Sequence, residues 1–365
     1  MKTNKYIISG GGTGGHIFPA LSIANRIKKD NPEAEILFVG SLGKMEMKKI
    51  PDSGFNIIGL SIDGFQRHSY SRNILFPFKL FVSLIKSFFL IVKFKPDAVI
   101  GTGGFASGPV IFVSQILGYP SLIQEQNSYA GVTNRILSKR ANFVSVAYTG
   151  MEKFFPKEKI ILTGNPVRKD IIKNDISSSE AKLFFGLDPE KPTVGVIGGS
   201  LGSLRINEVI SNNLKVFSDL GIQVIWQCGK LYFEEYKVKE TKSVKIFPFI
   251  SKMSYLYKAT DVLISRAGAS TVSEICITKT PSILVPSPNV AENHQYHNAM
   301  VLFNENASAI IEESDLNNNF KNIFNDLWLD KLLRNEMKKN LKKLSKPEAT
   351  EQIVKYIKQI SIDKI

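Results

Sequence analysis

The sequence predicts an α/β fold: two Rossmann-like domains, each a parallel sheet covered by helices on both faces, with a cleft between them. Three observations predict it. Short apolar runs alternate with helix-like stretches along most of the chain, three of those runs end in glycine-rich turns, and 365 residues suffice for two domains of ordinary size.

Residues 6–8 are the first run, continuous and apolar as a buried parallel strand requires. They lead into Gly10-Gly11-Gly12-Thr13-Gly14-Gly15-His16, then a helix expected over 17–29 and a strand over 35–39. Residues 56–60 fit a further strand, and a long apolar stretch covers 73–94. A strand at 97–100 precedes Gly101-Thr102-Gly103-Gly104-Phe105-Ala106-Ser107-Gly108, with a helix over 107–117, a strand at 121–123, a helix at 131–138 and a strand at 143–146. Residues 164–192, with their polar run and prolines, read as the crossing to a second domain. Strands at 193–197, 222–226, 244–247, 261–264 and 282–285 repeat the scheme, the first of them ending in Gly198-Gly199-Ser200-Leu201-Gly202-Ser203. The last 30 residues are Lys-rich with helical spacing, and Leu341, Leu344, Ile353, Ile357 and Ile360 are their packing positions. The chain thus divides into 1–163, 164–343 and a C-terminal helix, 344–365, expected to pack back toward the first domain.

A net charge of +14 calls for an anionic partner. No zinc-ligand spacing, RNA-binding signature or arginine-rich tract favours nucleic acid. Cys228 and Cys276 read as buried thiols and not as a disulfide framework. Too few apolar residues precede Ser9 for a signal peptide, so a cytoplasmic chain is expected. Residues 74–92 approach a transmembrane length, but Lys79 and Lys86 interrupt them and Pro77 breaks their start. Lys79, Lys86 and Lys93 recur every seven residues, which places them near one face of an amphipathic helix crowded with phenylalanine.

A strand, a turn without Cβ crowding and a helix N-terminus together let backbone N–H groups approach a phosphate. Gly10, Gly12 and Gly15 satisfy the dinucleotide-binding pattern, yet the strand at 35–39 ends in Gly40-Ser41-Leu42, with no acid for ribose. Glu33 and Glu35 lie at its other end. A nicotinamide cofactor is therefore disfavoured, and a diphosphate ligand remains.

Seven segments in order carry a resemblance: residues 11–20 (Gly-Gly-Thr-Gly-Gly-His-Ile-Phe-Pro-Ala), Gly103-Gly104-Phe105-Ala106-Ser107-Gly108-Pro109, Glu125-Gln126-Asn127, Gly164-Asn165-Pro166-Val167-Arg168, Gly198-Gly199-Ser200, residues 266–274 and residues 293–299. Together they resemble the MurG family, within glycosyltransferase family 28, bacterial enzymes that add N-acetylglucosamine to lipid I. Leu201 and His294 depart from it, each standing where many members have Gln.

The resemblance implies the GT-B architecture and inverting transfer from UDP-N-acetylglucosamine to the muramyl 4-hydroxyl of lipid I, giving lipid II for peptidoglycan. Its substrates would be the partners, with other cell-wall synthesis proteins as further candidates. It implies no cofactor, and the chain has no D-x-D stretch for a dedicated metal. The general base is expected at His16, with Glu125 as the alternative. For the donor, the resemblance implies Thr13, Gly14, Gly15, Asn127, Arg168, Ser200, Ile250, Ala269, Ser270, Thr271, Glu274 and Gln295. Glu274 would take the ribose hydroxyls, and Ser200 and Arg168 would stabilise the departing diphosphate. Gly12, Gly103, Gly104 and Ser107 are assigned to the acceptor diphosphate. Phe76, Phe78, Lys79, Phe81, Lys86 and Lys93 are expected to hold the enzyme peripherally on the anionic cytoplasmic face of the inner membrane. Two readings stay open beside this one: a UDP-N-acetylglucosamine 2-epimerase of GT-B fold, and a non-catalytic UDP-sugar-binding membrane protein.

Overall fold

The computed structural model describes residues 4–64 and 74–362. The chain forms two compact units, Met1–Val167 with Pro347–Ile365, and Arg168–Lys346.

The first unit runs β1 (Lys5–Gly10), α1 (Gly14–Asp30), β2 (Glu35–Ser41), α2 (Glu46–Asp52), β3 (Asn56–Leu60), α3 (Phe76–Phe94), β4 (Ala98–Gly103), α4 (Ser107–Ile116), β5 (Ser121–Glu125), α5 (Val132–Ser138), β6 (Phe143–Val146) and β7 (Ile160–Leu162). Its seven strands are ordered β3-β2-β1-β4-β5-β6-β7, and every neighbouring pair is parallel. The order reverses between β1 and β4, so the turns after these two strands share the topological switch point where such sheets bind ligands. The Gly11 N–H donates to the Gly103 carbonyl at 3.2 Å. A Cβ on Gly104 would lie 2.3 Å from Gly11 O, so the turns meet only because that position is glycine.

The second unit runs α6 (Lys169–Ile172), α7 (Ser178–Phe184), β8 (Thr193–Ile197), α8 (Leu204–Asp219), β9 (Gln223–Gln227), α9 (Phe233–Lys237), β10 (Val244–Phe247), α10 (Met253–Ala259), β11 (Val262–Ser265), α11 (Ala269–Thr278), β12 (Ser282–Leu284), α12 (His294–Asn304), β13 (Ala309–Ile310), α13 (Leu316–Leu329) and α14 (Lys331–Leu344). Its parallel sheet is ordered β10-β9-β8-β11-β12-β13, and the third glycine loop and residues 266–271 follow the two strands at its own reversal. Trp226 is fully buried there and donates its indole N–H to Asn207 Oδ1 at 2.9 Å, which satisfies its one polar atom.

The expected strands and helices recur within a few residues, with four differences, the first being α2, which was not expected. Residues 164–192 are not a bare crossing but carry α6 and α7, the latter opened by a Ser177–Glu180 capping box. Strands β7 and β13 are too short to announce themselves by periodicity. The Lys-rich tail breaks near Pro347, so α14 stays in the second unit while α15 (Ala349–Ile362) packs on α1 in the first. There Ile353, Ile357 and Ile360 are buried, and Lys358 pairs with Asp30 at 2.7 Å. Residue 73, at the edge of the apolar stretch, lies outside the described residues. Cys228 and Cys276 are free and buried, and burial pushes their thiols up to about 11 and about 12.

Candidate functional site

In the first unit α1 begins at Gly14, directly after the turn, with exposed Thr13 as its N-cap. No intrahelical acceptor exists for the first-turn N–H groups of Gly14 and Gly15. His16 Nδ1 lies 2.8 Å from the Gly11 carbonyl oxygen. A carbonyl only accepts, so Nδ1 carries the proton, and in the neutral ring Nε2 keeps a free lone pair. The ring lies over Gly103, where a Cβ would come within 2.9 Å of Nε2.

Three of the expected residues are engaged within the unit. The Gly12 N–H donates to Glu46 Oε2 at 2.8 Å. Ser107 is buried and donates to Gly104 O at 2.9 Å, shaping the turn from beneath. Glu125, the alternative base, has each carboxylate oxygen accepting two hydrogen bonds: Oε1 from Asn127 N and Nδ2, Oε2 from Gly131 N and Asn134 Nδ2. Its acceptor capacity is used in holding residues 126–134. Beside it a buried amide network, absent from the expectations, ties Gln124 to Asn165, Asn165 to the Gln126 carbonyl and Gln126 to the Thr102 carbonyl.

In the second unit Ser200 is exposed at the tip of its loop, between Gly199 and Gly202, whose φ values are +86° and +83°. Two residues that sequence reasoning missed brace this loop. Gln227 accepts from Ile250 N at 2.7 Å and donates to Gly199 O at 2.9 Å. Ile250 itself is buried with its N–H so engaged, which leaves its carbonyl as the backbone group to meet a base edge. Arg266 donates to Ser203 Oγ at 2.6 Å, to the Val285 and Pro286 carbonyls at 3.2 Å each, and to Glu313. Replacing Arg266 with alanine strands Glu313 in a partly buried site. We expect a loss of about 3 kcal/mol in a denaturant titration of the whole chain.

Glu274, on α11, is buried and accepts from Tyr257 Oη at 2.8 Å, while Arg168 Nη2 lies 3.7 Å from its other oxygen. Burial pushes this carboxyl above the usual range, and the Arg168 cation and the Tyr257 hydrogen bond pull it back. Ala269, Ser270 and Thr271 form the first turn of the same helix, whose N–H groups have no helical acceptor. Gln295 Oε1 accepts from Ser287 N at 2.9 Å, an orientation that commits its NH2 to a different partner.

Residues 6–146 match the glycosyltransferase family 28 N-terminal domain, and residues 193–353 match the glycosyltransferase family 28 C-terminal domain. The chain belongs to glycosyltransferase family 28. The UDP-N-acetylglucosamine–N-acetylmuramyl-(pentapeptide) pyrophosphoryl-undecaprenol N-acetylglucosamine transferase of Flavobacterium psychrophilum is 52% identical over 358 residues, 98% of each chain. Its namesake from Christiangramia forsetii is 50% identical over 361 residues, 99% of each. Among solved structures, Acinetobacter baumannii MurG aligns with a TM-score of 0.79 at 26% identity, covering 98% of this chain and 100% of that one.

One more surface of this family 28 glycosyltransferase was expected from sequence. Helix α3 buries Ser83, Ser87, Leu90 and Ile91, and α4 lies against it. Its other side exposes Phe78, Phe81 and Phe89 at 68%, 61% and 66%. The lysines only partly follow expectation. Lys79 pairs with Asp63 at 2.5 Å and Lys86 donates to Gly59 O at 2.7 Å, while Lys93 is exposed and Phe76 is half-buried. No helix among the described residues is long and apolar enough to cross a membrane.

Proposed function

We propose that the chain transfers N-acetylglucosamine, with inversion, from UDP-N-acetylglucosamine to the muramyl 4-hydroxyl of lipid I, giving lipid II. The observation that carries the chemistry is the His16 ring, whose Nδ1 is fixed as a donor to Gly11 O. Its Nε2 takes the hydroxyl proton as the acceptor oxygen bonds to the anomeric carbon. The bond from that carbon to the β-phosphate oxygen breaks, and its electron pair leaves on UDP. Thr13, Gly14, Gly15 and Asn127 in the first unit complete the polar groups assigned to the substrates, and Gly103 and Gly104 let the acceptor approach the turn. In the second unit Glu274 holds the ribose hydroxyls, Ile250 O reads the uracil and Gln295 donates to the sugar. The first-turn N–H groups of Ala269, Ser270 and Thr271, with Ser200 and Arg168, balance the charge growing on the diphosphate.

UDP release is measured with and without a short-chain lipid I analogue. Release that requires the acceptor and yields a disaccharide supports the transferase. Acceptor-independent conversion to UDP and N-acetylmannosamine would move the assignment to an epimerase.

The apolar side of α3 is read as a peripheral attachment to the anionic cytoplasmic face of the inner membrane, where protein partners in cell-wall synthesis would also meet it. Because Lys79 and Lys86 are engaged inside the unit, the aromatic rings carry more of this attachment than those two lysines. A Phe78→Ser/Phe81→Ser variant is expected to bind vesicles of anionic phospholipid about tenfold more weakly by co-sedimentation, with turnover of a soluble acceptor retained. Unchanged vesicle binding would remove α3 from that role.

A further inference from the structure

We propose that Glu46 is a positioning residue for His16, acting through the peptide group that joins Gly11 to Gly12; the proposal rests on the reading of His16 as the base. The N–H of that peptide donates to Glu46 Oε2 at 2.8 Å. The carbonyl of the same peptide accepts from His16 Nδ1, also at 2.8 Å. A trans peptide points its N–H and C=O in opposite directions, so one planar amide connects a carboxylate on one side to an imidazole on the other.

Glu46 is fully buried at the start of α2. Its donors among the described residues are two backbone N–H groups, Gly12 and Ser41, the latter at 3.0 Å. A buried carboxylate held this way is costly to keep and would be replaced by an apolar side chain if it only filled space. The surrounding chain makes room for it: a Cβ on Gly11 would lie 2.1 Å from its Oε1, and one on Gly40 would lie 2.5 Å from its Cγ. The negative charge polarises the Gly12 N–H, and amide resonance passes this on by strengthening Gly11 O as an acceptor. Nδ1–H is then held more firmly, which keeps the neutral ring in the tautomer that leaves Nε2 open. The same polarisation stabilises the imidazolium that forms once Nε2 has taken a proton. The carboxylate beside the catalytic histidine of serine hydrolases does this directly; here a peptide is interposed.

The test uses the full-length enzyme with Glu46→Gln, Glu46→Asp and His16→Ala, comparing kcat and the KM for UDP-N-acetylglucosamine. Glutamine keeps the shape but loses the charge and one of the two oxygens that accept from Gly12 and Ser41, whereas aspartate keeps the charge and both acceptors and loses a methylene. A packing role therefore predicts that Gln is the milder change, and the relay predicts the reverse. We expect Glu46→Gln to lower kcat at least tenfold with the donor KM within twofold, and Glu46→Asp to recover part of that loss. Nitrogen-15 spectra of histidine-labelled protein, with His16 assigned by its alanine variant, are expected to show a rise in the Nε2–H tautomer in Glu46→Gln. A Gln variant as active as the Asp variant or more so, with an unmoved tautomer, overturns the relay. If Glu46→Gln does not fold, the wild-type tautomer and the Asp variant decide: an Nε2–H ring in the wild type, or a displaced tautomer without loss of kcat in the Asp variant, overturns it. If His16→Ala turns over normally, the base assignment fails instead, and the tautomer comparison still judges the link to Glu46.

Discussion

Replacing His16 by alanine is expected to lower kcat by about two to four orders of magnitude, the usual contribution of a positioned general base. The KM for UDP-N-acetylglucosamine should change little, because the groups assigned to uridine and ribose lie in the second unit and His16 lies in the first. The same substitution tests the choice between the two base candidates. Glu125 already accepts from Asn127, Gly131 and Asn134 through both oxygens. Its removal takes the acceptor from buried Asn134 and releases residues 126–134, so Glu125→Ala should act first on stability, at about 1–3 kcal/mol. Steady-state kinetics at saturating acceptor, set beside a thermal melt, separates the two. His16→Ala should melt near the wild-type temperature and turn over slowly, whereas Glu125→Ala should melt early.

What the sequence made legible, and what it hid, follows from how each residue meets its partners. The glycine loops could be read because strand, turn and helix are contiguous, and local chain chemistry suffices to place them at the ends of β1, β4 and β8. Glu46 was invisible for the opposite reason. It sits in Lys44-Met45-Glu46-Met47-Lys48-Lys49, outside every element and motif read from the sequence, and only the parallel pairing of β2 beside β1 brings it under Gly12. The first acid beyond the tip of β2 is Glu46, four residues past Leu42, and it faces the glycine loop instead of a ribose. Ser107 shows a related limit: a hydroxyl beside a glycine turn looks the same in sequence whether it points at a ligand or at its own backbone. Lys79 and Lys86 share a helix face by spacing, but that spacing says nothing of Asp63 and the Gly59 carbonyl, which hold them. Gln227 and Arg266 act by bridging loops that follow different strands, Tyr257 joins α10 to Glu274 on α11, and no short motif encodes a bridge.

Glu274→Ala is expected to raise the KM for UDP-N-acetylglucosamine on the order of a hundredfold while lowering kcat much less. An ionised carboxylate accepting two ribose hydroxyls contributes about 3 kcal/mol, and the ribose is remote from the reacting carbon. Tyr257 makes the carboxylate directional. Burial and the nearby Glu274 charge push its hydroxyl well above the usual range, so it remains a donor at every working pH and occupies Oε2. Oε1 is left for the substrate, with Arg168 close by. The pH dependence follows from the sign of each effect. Burial raises the Glu274 carboxyl, and Arg168 lowers it. A protonated Glu274 has lost acceptor strength, so donor affinity should fall as pH drops through its titration. Replacing Arg168 with methionine removes the charge that favours the ionised form, and the loss of affinity should then begin at a higher pH. Donor KM measured from acidic to alkaline pH in both proteins reads this out: the gap between the two curves should be constant on the alkaline side, where it reports the lost diphosphate contact, and widen on the acidic side. Parallel curves would mean that Arg168 serves the diphosphate alone, because only a change in the protonation of Glu274 makes its absence depend on pH.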